Sequence, residues 1–351
     1  MGFEVPVHRM TEACNVGHAE VVERRTFAID AGTLTAGAVL SRREGSRVGT
    51  ADIDRLRSQL HRLYRTDHTA GSVPARARAR QIEGRIKQSL SQGSYTARTG
   101  RSLQGMLSEL RSLQAWLGYD GGPIEQARTA SAEALTSAQL TGDPLLHISA
   151  LDMLILLSIK ADRVWEAASA VDYGYRLASA AGAGPAARLV IALREANVAT
   201  HTHDFTAARR ALTRGISYAG RLDIDTDVPP WAAFAGAAEV DYATASVYLR
   251  AEQPRQAIPF LRAAVSGLGN GYGRNTAWYR SKLAGVLLRA GEVEEACTEM
   301  HAVLDTHGSI TSARLVRRMQ SFQRQAACYD TADARDCAAR IRDLTAGSAP
   351  S

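Results

Sequence analysis

The sequence predicts an all-α fold, a solenoid of stacked helix pairs, and three observations carry that expectation. A single kind of turn recurs. The stretch WLGYDGGPIEQARTASAEA, Trp116 to Ala134, reads as a helix end, a Gly-rich turn and a second helix with small residues at Ala127 and Ala134. Similar turns follow at Lys160–Ala168, Thr202–Ala211, Ala251–Ile258 and Ala290–Ala296. The small residue of each second helix falls at Ala127, Ala167, Ala208, Ala257, Ala296 and Cys337, at intervals of 40, 41, 49, 39 and 41. A repeat near 40 residues with two helices per unit is that of an array in which each pair buries its apolar stripe only against its neighbours. Composition agrees: hydrophobic residues make up 45% but aromatics only 6%, which suits close-packed helices better than a β-rich core.

Taken in order, residues 1–49 show no clear period and are expected to form a loose or short-helical N-terminal segment. Arg24 and Arg25 before Thr-Phe have the outline of a twin-arginine export signal. Asp30 interrupts the apolar run, however, and Glu20 and Glu23 precede the arginines, so a cytoplasmic linker or first helix is the expectation. Thr50 or Asp52 can cap a helix to about Arg65, with Ile53, Leu56, Leu60 and Leu63 on one face. Pro74 suits the first turn of a second helix that runs through Ile82, Ile86 and Leu90 to about Gln92. A third runs from about Arg101 to Leu117 on Leu103, Met106, Leu107, Leu110 and Leu113. The pairs then continue, giving a repeat domain over 50–344 and a polar tail, 345–351, that is expected to fray. The one long interval contains DIDTDVPPW, Asp223 to Trp231, an extended loop ended by Pro229 and Pro230. GLGNGYG, Gly267 to Gly273, has no strand before it and reads as an inter-repeat turn rather than a phosphate cradle.

The net charge of +6 is unevenly placed: Arg42 to Arg101 holds 14 basic and 5 acidic residues. That region could face DNA or an acidic partner. ARARAR (Ala75 to Arg80) alternates at period two, which spreads its arginines around a helix, and no aromatics interleave, so a solvated surface is the better reading. Cys14, Cys297, Cys328 and Cys337 form no CxxC pair and fit no zinc spacing, which points to reduced structural thiols of a cytoplasmic protein. No apolar run approaches the roughly 18 residues of a membrane span, so no membrane partner is expected. His201-Thr-His203-Asp204 offers the right ligand types for a metal but sits at a helix end and turn with no fourth ligand. Asp223, Asp225 and Asp227 resemble half a calcium loop without its Gly and distal Glu. With no P-loop, GxSxG, HExxH or dinucleotide fingerprint, neither catalysis, a metal nor a cofactor is expected.

The turn pattern resembles the tetratricopeptide repeat, best at Trp116–Ala127 and Leu287–Ala296, fairly at His203–Ala208, and in degenerate form at Ala161–Ala167 and Glu252–Ala257. That resemblance implies a right-handed superhelical solenoid whose first helices line a concave groove. Carried over residue by residue, it puts Asp152, Lys160, Asn197, His201, Glu239, Tyr242, Arg250, Arg280 and Arg289 on the groove. The Asn197 amide can pair with both the N–H and the C=O of a bound backbone. Arg250, Arg280 and Arg289 can form a basic wall for a carboxylate or phosphate. Each of these residues also reads, alone, as an ordinary solvated helix position.

A wider resemblance covers Glu23 to Leu304 and rests on RRTF, on VGTADIDRLRSQLHRLYRTD (Val48 to Asp67) and on LSELRSLQAWLGYDGGPIEQARTASAEAL (Leu107 to Leu135). These are similar to the C-terminal part of actinobacterial transcriptional regulators that carry a Cro/C1-type helix-turn-helix followed by a tetratricopeptide-like sensor domain. Only 23 residues precede RRTF, fewer than that DNA-binding domain occupies: either the chain is a stand-alone version or its true start lies upstream, and direct DNA binding is not expected of the residues given. The resemblance implies a cytoplasmic regulatory sensor that binds a peptide, a small ligand or a protein partner in its groove. Occupancy would be read out through solenoid curvature or the contacts of a homodimer; the alternative is a pure protein–protein scaffold with no effector. The Trp116–Ala134 stretch is expected to be mostly structural, with specificity further along the array.

Overall fold

The computed structural model describes residues 47–222, 228–306 and 312–346, all of them within the unit Gly45–Ser351. Fourteen α-helices follow one another there: α1 Thr50–Ala70, α2 Ser72–Gln92, α3 Ala97–Gly121, α4 Ile124–Thr141, α5 Pro144–Lys160, α6 Val164–Ala180, α7 Pro185–His201, α8 Phe205–Ala219, α9 Ala237–Arg250, α10 Pro254–Ser266, α11 Gly273–Ala290, α12 Val293–Thr306, α13 Ala313–Ala326 and α14 Ala332–Ala346. Two short 3-10 turns, Pro230–Ala232 and Asn270–Tyr272, precede α9 and α11. The described residues hold no strand, only an isolated bridge between Arg47 and Ser94. The fold is therefore the all-α helical-repeat solenoid that the period implies.

Each odd-numbered helix packs on the even-numbered one that follows it, and the odd-numbered helices α1, α3, α5, α7 and α9 also stack on one another in order. Four of the turns within pairs share one backbone geometry. Asp162, His203, Glu252 and Gly291 all take positive φ, between 57° and 90°. In each, the following residue's N–H reaches back to the last turn: Arg163 to Ser158 at 2.8 Å, Asp204 to Ala199 at 2.9 Å, Gln253 to Tyr248 at 2.9 Å and Glu292 to Leu287 at 3.0 Å. This is the Schellman closure, which satisfies carbonyls that a helix end leaves open. Only one of the four positions is Gly, so the other three hold a strained conformation.

The small residues that set the period are all at most 1% exposed, from Ala127 to Cys337. They are small because the helices nearly touch there: a Cβ placed on Gly118 would lie 2.8 Å from the Ala127 Cβ. Three apolar clusters result among the described residues, a small one of Ala115, Ala127, Met153, Leu156 and Leu157 and two larger ones. One runs from α1 to α9, centred on residues such as Leu60, Leu110, Leu189 and Leu193. The other runs from α9 to α14 and holds Leu261, Leu287, Met300 and Phe322. Helix α9 is the seam, with Ala243 and Val247 in the first cluster and Ala245 in the second.

Several boundaries differ from expectation. Helix α1 does not stop near Arg65 but continues to Ala70, broken from α2 by Gly71 alone at φ 89°. Helix α3 begins earlier, because Thr96 caps it by accepting from the Thr99 N–H. Pro229 and Pro230 lead into a 3-10 turn that wedges Trp231 into the core, 8% exposed. The Gly-rich 267–273 turn is anchored: the Tyr272 hydroxyl donates to the Ala233 carbonyl at 2.7 Å, and its ring lies 5.0 Å from that of His68. Cys297 and Cys337 are buried free thiols, and Cys328 is exposed. No described helix is long and apolar enough to cross a membrane. The arginine pair near residue 24, Cys14, the three aspartates of 223–227 and most of the C-terminal tail lie outside the described residues.

The stacking has one consequence that no single repeat contains. The array curves until α11 meets α1 and α13 meets α3. What an open solenoid would present as a groove is here bounded on both sides.

Candidate ligand cavity

The odd-numbered helices enclose a cavity of about 750 Å³. Its walls come from α1, α3, α5, α7, α9, α11 and α13, with Trp231 and Phe234 closing the gap before α9. Two buried networks hold the walls together. In the first, Asp67 on α1 is 1% exposed and accepts from Trp116 Nε1 at 3.0 Å and from Arg274 Nη2 at 3.1 Å. Arg274 Nε also donates to the Asp67 carbonyl at 3.1 Å, and the guanidinium lies 4.9 Å from the Trp116 ring. Burial pushes the Asp67 carboxyl above its usual range, and Arg274 opposes that shift. In the second, fully buried Asp120 at the end of α3 accepts from the Ser312 hydroxyl at 3.2 Å and pairs with Arg314 Nε at 3.2 Å. A carboxylate at the start of α13 also suits that helix's dipole.

A third buried pair stiffens the wall between α5 and α7. Arg194 Nε donates to Asp152 Oδ1 at 2.5 Å, and its guanidinium packs 5.5 Å from the Phe234 ring. Opposite, the Tyr242 and Tyr279 rings stack 4.4 Å apart, Trp278 Nε1 donates to the Tyr242 hydroxyl at 2.8 Å, and the Tyr279 hydroxyl donates to Glu239. Burial raises the Glu239 carboxyl, while Tyr279 and Arg194 act to lower it. Behind this wall Lys282 stands 5.7 Å over Tyr242; burial first, then Arg318, Arg289 and Arg314, bring its ammonium down to about 7. His68, between Tyr64 and Tyr272, is held down at about 4 by burial and by Arg274.

Seven of the nine positions expected on the groove line this cavity: Asp152, Lys160, Asn197, His201, Glu239, Tyr242 and Arg250. Their surroundings differ. Asp152 and Glu239 are committed to Arg194 and Tyr279. His201 Nε2 lies 3.0 Å from Asp162 Oδ1. Lys160 and Arg250 end their helices at the mouth, both exposed. The other two positions point elsewhere. Arg280 bonds to Glu299 on α12 at 3.2 Å, and Arg289 lies beside the Gln253–Gln256 turn. Arg280 misses the cavity because α11 turns Trp278 and Tyr279 inward and a one-residue step rotates a side chain by about 100°, whereas Arg289 lies about three turns further along α11 than Trp278. The His201–Asp204 group is likewise divided. Asp204 caps α8 through the Ala207 N–H at 2.8 Å, and the His203 ring meets Phe205. Among the described residues no group of three or more His, Cys, Asp or Glu is placed to hold a metal.

Sequence reasoning missed Asp67, Trp116, Arg274, Arg314 and Arg317. Within the Trp116–Ala134 stretch, expected to be mostly structural, Trp116 and Tyr119 stack at 5.7 Å and line the cavity. The Trp278-Tyr279 pair was a usable signal; nothing in the sequence joins Asp67 to Arg274, 207 residues away.

No family model matches the chain, and no curated protein does. Among solved structures it is similar to the crystal structure of YrrB, described as a TPR protein with an unusual peptide-binding site. The identity is 16%, over 63% of this chain and 98% of that one, with a TM-score of 0.35.

Proposed function

We propose that this chain is a regulatory sensor that binds its effector in the central cavity. The observation that carries this reading is the convergence of seven helices from seven different pairs on one 750 Å³ space lined by aromatic and charged side chains. A volume of that size lies within the roughly 300–1,000 Å³ of small-ligand sites. The buried carboxylates are already engaged with Arg or Tyr partners, which supports binding on a rigid frame rather than proton transfer. The Asn197 amide, by contrast, lines the cavity with no hydrogen-bond partner among the described residues. Because the walls belong to different repeats, an occupant contacts helices from several pairs at once and biases their spacing. The link to transcription, a cytoplasmic location and read-out through a homodimer rest on the sequence resemblance to the regulators' sensor domains.

Mass spectrometry of protein purified from its native host tests the reading. A stoichiometric small molecule or short peptide, together with slowed hydrogen exchange in α1, α5 and α11, is the expected result. A scaffold reading is favoured by one observation on the outer face, Trp165 at 75% exposure. If repeated purifications yield only a protein partner, and Trp165→Ala abolishes its capture while the cavity stays unprotected, the sensor reading fails.

A further inference from the structure

The charges around the cavity do not balance. Lys160, Arg194, Arg250, Arg274, Arg314 and Arg317 face it, against Asp67, Asp152 and Glu239. Arg274 and Arg194 hold Asp67 and Asp152, and Arg314 reaches Asp120. Among the described residues Lys160, Arg250 and Arg317 make no ion pair. Lys160 and Arg317 both line the cavity, Lys160 beside the Tyr119 ring that Arg314 also covers. Lys160 Nζ stands 4.8 Å over the Tyr119 ring, and the Arg314 guanidinium lies 5.7 Å from the same ring and 4.0 Å from that of Trp278. Arg317, one turn along α13, is the foremost charge acting on Lys160; after burial, it and Arg314 hold the Lys160 ammonium below its usual value.

Arg314 and Arg317 also occupy the start of α13, whose first turn carries no acidic residue. Cations at that end of a helix are opposed by its dipole, whereas an anion is favoured there. Lys160 by itself suits the C-terminus of α5, and Arg314 is held by Asp120; Arg317 has no ion-pair partner among the described residues. Beside these cations the wall is apolar through Trp116, Tyr119 and Leu156, which pack in one cluster.

We infer that the cavity takes a small organic anion, with its carboxylate or phosphate head between Lys160 and Arg317 at the mouth and its flat apolar body against Trp116 and Leu156. This rests on the reading of the cavity as the effector site. A small molecule fits better than a threaded chain because α1–α11 and α3–α13 contacts bound the space on both sides. Arg314, tied to Asp120, lends charge without moving. Exposed Lys160 and Arg317 supply mobile donors that close on the head group.

Two dyes of nearly one shape test the assignment: anionic anilinonaphthalene sulfonate and neutral N-phenylnaphthylamine. Each is titrated into the full chain carrying Trp165→Phe, so that energy transfer is read from Trp116, Trp231 and Trp278, which line the cavity. The anionic dye is expected to bind about tenfold tighter, and Lys160→Met and Arg317→Gln each to weaken it about tenfold, the scale of one charge-assisted hydrogen bond. The neutral dye is expected to change less than about twofold. Excess inorganic phosphate displaces the anionic dye only. Exposed Arg255→Gln, off the cavity, leaves both titrations unchanged, and circular dichroism confirms that each variant folds. Equal affinities, unmoved by the two mouth variants, would overturn the anion assignment while leaving the cavity as a ligand site. Transfer to neither dye would overturn both readings.

Discussion

Replacing Arg274 by Met tests whether the Asp67–Arg274 network closes the ring. Arg274 is 5% exposed and gives Asp67 two hydrogen bonds, both 3.1 Å, and a ring contact to Trp116. Removing one member of a buried ion pair leaves the other uncompensated and costs about 3–5 kcal/mol. The lost cation–π contact adds roughly 0.5–1 kcal/mol. The loss should depend on pH, with a definite sign. Burial already raises the Asp67 carboxyl in the folded chain, and Arg274 is the main opposing influence. Without it the folded carboxyl rises further and keeps a proton that the unfolded chain releases above about pH 4. Stability of the variant then falls as pH climbs from the unfolded value through the folded one. His68, freed from Arg274, takes up its proton more readily and deepens the same trend. Urea unfolding between pH 5 and 8 should therefore show a penalty of about 4 kcal/mol at the alkaline end that shrinks toward the acid end. Adding Asp67→Asn should recover much of it. A loss below about 1 kcal/mol, the same at every pH, would refute the network as the closure of the ring.

Three further outcomes follow from particular residues. His203→Gly and Glu252→Gly relieve left-handed strain at φ 61° and 59° and should each stabilise by about 0.5–1 kcal/mol in denaturant titrations, less than the full strain because Gly loosens the unfolded chain; a loss of stability would count against the turn geometry. His68, held at about 4 in the folded state, resists a proton that the unfolded chain accepts near pH 6.5, so its share of stability drains away as pH falls through that window; a His68→Gln variant should show a flatter acid limb, and an NMR titration placing the ring near 6.5 would exclude this. Phe322→Ala, at a site 1% exposed in the C-terminal cluster, should cost about 3–5 kcal/mol, with faster hydrogen exchange in α11–α14 and little change in α3–α7; uniform acceleration would mean that the two larger clusters unfold as one.

Local features were the legible part of the sequence. Ala127, Ala167, Ala208, Ala257, Ala296 and Cys337 mark points where two helices nearly touch. Such contacts admit only small side chains, so they leave a compositional trace at a fixed spacing. The turns show as well, but for three of them the trace is weak, because Asp162, His203 and Glu252 occupy a conformation that usually selects Gly. The inward register carried from α5 to α9, where the pairs are short and regular. It failed on α11, which follows the Asn270–Tyr272 turn, so that Trp278 and Tyr279 face inward and Arg280 faces Glu299.

Ring closure was not legible, and the reason is physical. Curvature of a repeat array is the accumulation of small rotations, one per interface. No interface records the total, so nothing near Asp67 announces Arg274, and nothing near Asp120 announces Ser312 and Arg314. Yet those meetings decide what the site can be. An open groove presents side chains from one face to an extended partner. A closed one adds a second wall, here α11 and α13, that brings Arg314 over the aromatic pair Trp116 and Tyr119 and adds Arg317 to the lining. The residues that distinguish a small-anion cavity from a peptide groove are therefore the ones contributed by the far end of the array. The same contacts couple binding to shape: an anion between Lys160 on α5 and Arg317 on α13 tethers helices from distant repeats, so its affinity depends on curvature, and curvature must respond in turn.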